Sequence, residues 1–229
     1  MGSTFVLFVV FLLISQIWYP GDLFAKSAGI KLLVIVAVVD LVAGPLITLI
    51  VFDAKKKLIK MDMAIILFCQ ICFMSYGMWT VFTSRPVYIV FTGHNFFMVR
   101  ANEIEKKDLN QVQAEQFKHL PFLGPEFVAT KEPDDIKIKN DIVFAAVGGM
   151  GIQNLPQYYV PLTQARKQII SAAKTSQQWK IIDADSKKLL EQYEKSHTAI
   201  PVAFLYLSYK SFTLFVVVNA NNGEIIDII

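Results

Sequence analysis

The sequence contains few of the residues on which disulfides, metal sites and nucleophilic catalysis usually depend. Two of its 229 residues are cysteine, three are histidine, and charged residues make up 18% of the chain, below the roughly 25% of a typical globular protein. These shortages exclude a disulfide-stapled miniprotein, and a net charge of +3 is too small to indicate nucleic acid as a partner. His94, His119 and His197 lie far apart and no G-x-S-x-G motif occurs, so we expect no catalytic site, metal site or cofactor.

Charge is almost missing from three long stretches near the N-terminus. Residues 4–19 and 63–82 hold no charged residue, and residues 32–52 hold one, Asp40. A helix needs about 20 apolar residues to cross a bilayer, which the second and third stretches provide. The first has 16 residues, so it thins the bilayer locally, or the native chain carries further residues before it. We predict a three-helix transmembrane region over residues 1–84 and an exported domain over residues 85–229.

Lysines in the short connections predict the orientation of this region. The segment 53–62 holds Lys55, Lys56, Lys57 and Lys60, whereas the segment 20–31 holds two lysines. The positive-inside rule then places the N-terminus in the cytoplasm and residues 85–229 outside it. A cleaved signal peptide is the alternative for the first stretch, although no basic residue precedes Phe5. The third stretch would exit on the same side in either case.

Asp40 is the strongest single signal in the chain. It is the ninth residue of the stretch 32–52, where a carboxylate costs about 2.5–3.5 kcal/mol to insert. The three stretches contain no basic residue to pair with it. It is therefore either a neutral acid bonded to a hydroxyl or a contact with another membrane protein. The hydroxyls available for the first alternative are those of Ser15, Thr48 and Ser75.

The pattern changes after Arg85-Pro86 to that of an α+β domain. Residues 87–91 and 96–100 predict a β-hairpin, and residues 202–208, 212–219 and 224–228 predict an antiparallel meander, so we expect one antiparallel sheet with helices packed on it. Helices are predicted over residues 162–173 and 186–195, the latter capped by Asp183 or Asp185. Residues 120–133, with three prolines, predict a loop, and the apolar run 141–147 fits a strand or a helix.

An ordered set of segments resembles a known family, the type IV pilin accessory proteins of the TfpX/TfpZ kind. The segments are Trp18-Tyr19-Pro20-Gly21, Asp40-x-x-x-Gly44-Pro45-Leu46-x-Thr48-Leu49, Arg85-Pro86-Val87-Tyr88-x-Val90-Phe91, Val99-Arg100-Ala101-Asn102-Glu103-Ile104, Leu155-Pro156-x-Tyr158-Tyr159-Val160-Pro161 and Asn222-Gly223-Glu224-Ile225. Each is weak alone, and their common order makes the resemblance specific. Residues 18–20, Arg85, Pro86, Arg100, Asn102 and Glu103 are interpreted as structural motif residues.

The resemblance implies a bacterial inner-membrane protein with a periplasmic domain and no enzymatic activity. Its expected partners are a cognate type IV major pilin, the lipid bilayer and other pilus assembly proteins, and its expected role is to bind and stabilise the pilin before or during assembly. Our hypothesis places the pilin helix at Asp40, with Gly44, Pro45 and Thr48 opening a groove at that level. An extracytoplasmic sensor and a pilin-modifying enzyme are the alternatives.

Overall fold

The computed structural model describes residues 11–19, 34, 59–180, 182–209 and 212–229. The chain divides into two compact units, Met1–Arg85 and Pro86–Ile229. The second unit contains all the strands that the structure describes.

The first unit contains a long apolar helix, α1, over Ile59–Thr83. Within it, Ala64–Thr83 is the one segment in the described part of the chain that is long and apolar enough to cross a membrane. A six-residue π-helix, Leu13–Trp18, lies in the first predicted stretch. The rest of that stretch and nearly all of residues 32–52 fall outside the described residues, so three spans stay a prediction from sequence.

The second unit is built on a seven-stranded sheet with the order β4-β3-β1-β2-β5-β6-β7. Its strands are β1 (Pro86–Phe91), β2 (Phe96–Arg100), β3 (Glu126–Thr130), β4 (Tyr159–Pro161), β5 (Val202–Tyr209), β6 (Phe212–Asn219) and β7 (Ile225–Ile228). The α+β class is therefore confirmed for this unit.

The sheet is mixed, so the prediction of a purely antiparallel sheet was wrong. The β1–β2 hairpin and the β5–β6–β7 meander are antiparallel, as predicted from their short turns. However, β1 pairs with β3 and β2 pairs with β5 in parallel. Parallel neighbours need long crossover connections, and residues 92–125 between β1 and β3 and residues 101–201 between β2 and β5 provide them. Strand β3 lies in the segment 120–133, which was wrongly predicted to be a loop because its prolines flank the strand.

Four helices accompany the sheet: α2 (Lys106–Leu109), α3 (Ile136–Val147), α4 (Arg166–Ala172) and α5 (Ala184–Ser196). Asp183 caps α5 by accepting a 2.8 Å hydrogen bond from the Ser186 N–H, as predicted. Asp135 caps α3 in the same way through the Lys137 N–H at 2.7 Å. The ambiguous run 141–147 is helical and forms the end of α3.

Among the described residues of the second unit, two apolar clusters stabilise the fold. The first joins strands β1 to β4 with the chain that follows β2, and its members are Val87, Tyr88, Val90, Val99, Ile104, Val112, Phe117, Val128 and Tyr159. The second packs Leu190 of α5 and Trp179 against β5 and β6, with Val202, Phe204, Phe215, Val217 and Ile229. The first cluster contains residues from three of the six segments that carry the family resemblance.

Candidate partner-binding surfaces

The residues predicted to contact a pilin helix, Asp40, Gly44, Pro45 and Thr48, lie outside the described residues, so their role stays a prediction. Two of the three hydroxyl residues suggested as partners for Asp40 are described. Ser15 is buried, and its Oγ has no hydrogen-bond partner within the described part of the chain. Ser75 is exposed on α1. Of these two, Ser15 is the hydroxyl in a protected environment.

Trp18 and Tyr19 pack on the C-terminal end of α1. The Trp18 ring lies 5.7 Å from the Phe82 ring, and the Tyr19 hydroxyl donates a 3.1 Å hydrogen bond to the Ser84 carbonyl oxygen. Ile14 and Val81 complete this cluster. These motif residues therefore join the first and third predicted stretches at one end; Pro20 lies outside the described residues.

Arg85 forms the end of the first unit and is 4% exposed. Its guanidinium Nη1 donates a 2.7 Å hydrogen bond to the Phe82 carbonyl oxygen, and its Cζ lies 3.8 Å above the Phe82 ring. A cation bonded to a late carbonyl complements the negative end of the α1 dipole. Arg85 is therefore a helix-terminating residue, and Pro86 begins β1 directly after it.

Glu103 is the centre of a polar network in the second unit. Its Oε2 accepts a 2.9 Å hydrogen bond from the Arg100 N–H, and its Oε1 accepts one of 3.1 Å from the Tyr209 hydroxyl. The Arg100 guanidinium lies over the Tyr209 ring at 4.5 Å. Asn154, which is buried, donates to the Glu103 carbonyl oxygen at 3.5 Å. Asn102 is exposed beside this network.

Two members of this network, Tyr209 and Asn154, were not identified from the sequence. Tyr209 lies 106 positions after Glu103 and ends strand β5, so no local pattern connects the two. Asn154 directly precedes the Leu155-Pro156 motif and ends a short 3-10 helix, Ile152–Asn154. The network fixes the turn after β2 to the end of β5 and to the segment before β4.

Three aromatic residues from separate segments meet in the first apolar cluster. The Tyr88 and Tyr159 rings lie 5.0 Å apart, edge to face, and Phe117 contacts both. Burial raises the pKa values of the Tyr88 and Tyr159 hydroxyls, so both stay protonated at neutral pH. Each therefore donates a hydrogen bond, Tyr88 to the His119 carbonyl and Tyr159 to the Gln153 carbonyl. These tyrosines have a packing role.

The exposed apolar surfaces of the two units are the candidate contact sites. Along α1, large apolar side chains face outward for most of the helix length, and Tyr76 is 72% exposed. The exposed set on α1 is Met61, Ile65, Leu67, Phe68, Ile71, Phe73, Tyr76 and Trp79. Soluble proteins expose single scattered apolar residues, whereas this helix exposes a continuous apolar surface. Such a surface needs a lipid or protein partner.

Helix α3 is the second such surface. None of its residues is buried, and Val143, Phe144 and Val147 are all more than 60% exposed. Sequence reasoning found the apolar run but not its exposure, because a strand or helix of this composition is normally in the core. No local signal in the sequence distinguishes this exposed run from a core segment.

The described residues contain no group of three or more His, Cys, Asp or Glu side chains that could hold a metal ion. Cys69 and Cys72, both on α1, are free thiols.

The chain is similar to fimbrial assembly proteins of Dichelobacter nodosus. It is 26% identical to the protein of serogroup I over 91% of this chain and 83% of the relative, and 28% identical to that of serogroup E1 over 87% and 76%. With the protein of serogroups C1 and C2 it shares 30% identity over 43% of this chain and 77% of the relative. No protein-family model and no solved structure matches the chain.

Proposed function

Because the chain belongs to the same family as these fimbrial assembly proteins, we propose that it acts in type IV pilus assembly as a membrane-bound, non-enzymatic accessory protein that binds and stabilises a cognate major pilin. The similarity over about nine-tenths of the chain is the observation that carries this proposal. The inner membrane as location is inferred from helix α1, and the pilin as partner is inferred from Asp40 and the residues after it.

The exposed apolar surface of α1 supports location in a membrane. Its 25 residues span about 37 Å, enough to cross the roughly 30 Å hydrocarbon layer. Bulky side chains exposed along the helix would be stabilised by lipid, whereas in water they would cause association. With the lysine-rich segment 53–62 on the cytoplasmic side, α1 would deliver the second unit to the periplasm.

Pilin recognition is proposed to occur within the membrane, near Asp40. A pilin that awaits assembly is itself a membrane protein with one long apolar helix, and apolar helices associate through small residues and polar contacts. Asp40 supplies a polar contact, while Gly44 and Pro45 interrupt the helix next to it. Ser15, which is buried in the first unit, is a further polar group that would contribute to this contact.

The test is the amount of major pilin in cells, measured by immunoblot. Cells with the wild-type chain are compared with cells that lack it and with cells that carry Asp40→Asn at matched expression. We expect pilin to fall in both altered strains and to stay normal with Asp53→Asn, an acid in the short charged segment. Normal pilin with Asp40→Asn would contradict the proposed site.

The deletion strain tests the function itself. If pilin and surface pili are both normal without the chain, the proposed function is wrong. If pilin stays constant while pili are lost, stabilisation is wrong and the role in assembly remains.

A further inference from the structure

Helix α3 is a 12-residue helix without a buried residue. Phe144 is 82% exposed and Val147 is 88% exposed, and Met150 is exposed just after the helix. Isolated helices of this length are marginal in water, and most helices in proteins are stabilised by packing of an apolar face. The described residues of the second unit bury no residue of α3, so its apolar residues are available to an external apolar partner.

The order of charges along this segment indicates what that partner is. Lys137 and Lys139 lie in the first turns of the helix, where Lys139 is paired with Glu132, and after Asp141 no charge occurs before Arg166. Lys139 and Val147 are eight residues apart, about 12 Å along the axis. Residues 142–150 thus form an uncharged tip with exposed Val143, Phe144 and Val147, and binding to a membrane surface increases with the apolar area that enters the headgroup/acyl boundary.

The short connection between the units supports a lipid partner over a soluble one. Two residues, Ser84 and Arg85, separate the end of α1 from the start of β1. If α1 crosses the membrane as proposed above, so short a tether keeps the second unit at the bilayer surface. Weak surface binding then becomes an intramolecular event at high effective concentration.

We propose that the C-terminal half of α3 and the glycine turn after it, residues 142–150, insert into the lipid leaflet on the side of the second unit. Val143, Phe144 and Val147 would then enter the acyl boundary, and Lys137 would lie nearer the lipid phosphates. This inference rests on the proposed membrane location. It adds a second membrane contact that would fix how the domain is held beside the bilayer.

The test measures contact between a fluorophore on α3 and lipid. The full-length chain with Cys69→Ala and Cys72→Ala receives Val147→Cys, is labelled with an environment-sensitive dye, and is reconstituted into vesicles of phosphatidylethanolamine and phosphatidylglycerol. Lipids that carry a nitroxide on the acyl chain are the quencher. The matched control is Lys188→Cys, an exposed position on α5. We expect several-fold stronger quenching at position 147 than at position 188.

A second variant tests the tip itself. Adding Phe144→Glu to the Val147→Cys chain should reduce its quenching to the level of the control, and it should not unfold the domain because Phe144 makes no core contact. Equal quenching at positions 147 and 188 would overturn the inference. A blue shift that needs a second copy or added pilin, without lipid quenching, would also overturn it.

The two proposals fail separately. The vesicles contain no pilin, so loss of quenching with normal pilin dependence in cells would reject only the insertion of α3. Conversely, strong quenching in a chain whose deletion leaves pilin and pili unchanged would reject only the proposed function.

Discussion

Large apolar residues are buried in the sheet of the second unit but exposed on the long helix of the first unit. In the sheet of Pro86–Ile229, every residue of β1 is buried, and Tyr88, Ile89 and Phe91 have no exposed surface. In α1, Phe68, Tyr76 and Trp79 face outward. Burial in the protein satisfies the first set, whereas the second set needs an apolar environment that the described residues do not supply.

Helix α3 is an exception within the second unit, because its apolar residues are exposed. Its exposed Val143, Phe144 and Val147 follow the pattern of α1, although the helix belongs to the unit with the apolar cores. The comparison shows that exposure, not composition, distinguishes a contact surface from a core segment here.

The largest expected effect is the difference between a buried phenylalanine, Phe204, and an exposed one, Phe144. Phe204 is fully buried in the second cluster, where its ring lies 6.3 Å from the Tyr193 ring, so Phe204→Ala should lower the free energy of unfolding of the domain by about 3–5 kcal/mol. Phe144→Ala, on α3, should change it by less than about 0.5 kcal/mol. Hydrogen exchange of β5 and β6 amides in the purified full-length chain measures both. Similar losses for the two variants would contradict the distinction between core and contact surface.

The polar network tests whether the motif residues stabilise the fold. Glu103→Ala leaves the Arg100 N–H and the Tyr209 hydroxyl without this acceptor, which should cost about 1–3 kcal/mol in hydrogen-exchange stability. The control is Asn102→Ala, next to it in sequence and exposed, which should have little effect. If Asn102→Ala lowers stability as much as Glu103→Ala, the network is not the reason for the motif.

Two glycines allow the cost of backbone strain to be measured apart from the cost of a steric clash. Gly223 has a φ of +69°, and a Cβ there would lie 3.0 Å from the Arg166 carbonyl oxygen at the start of α4. Gly93 has a φ of +92° and open space around it. Gly93→Ala should lower the free energy of unfolding by about 1 kcal/mol because of backbone strain, and Gly223→Ala should lower it further. Urea unfolding measures both. Equal losses would show that α4 moves away at no cost.

The smallest effect is the pH dependence of the α5 cap. Hydrogen bonds from the Ser186 side chain and backbone lower the pKa of the Asp183 carboxyl below its usual value near 4. A lowered folded-state pKa gives stability that is present above the unfolded value and is lost as the pH falls through the folded value. We therefore expect the protection factors of α5 amides, which correct for the pH dependence of intrinsic exchange, to fall as the pH drops below about 4. In Asp183→Asn, which keeps an acceptor but does not titrate, this pH dependence should disappear; if it persists, another group causes it.

Local signals in the sequence predicted the parts of the fold that depend on neighbouring residues. The β1–β2 hairpin, the β5–β6–β7 meander and the Asp183 cap each follow from turn or cap residues within a few positions. The parallel pairing of β1 with β3 could not be predicted, since it depends on a crossover of 34 residues between Phe91 and Glu126.

The candidate site divides in the same way. Trp18, Tyr19 and Arg85 have partners near the end of α1 that a helix-end argument could anticipate. The Glu103–Tyr209 bond and the exposure of α3 depend on the assembled sheet. No period or local propensity encodes them.

Co-purification tests the central claim, that this chain binds a major pilin, most directly. The tagged full-length chain is isolated in mild detergent from piliated cells, and the eluate is probed for pilin. We predict pilin with the wild-type chain and with Asp53→Asn, and much less with Asp40→Asn. Absence of pilin from the wild-type eluate, when pilin is abundant in the same membranes, would contradict the account.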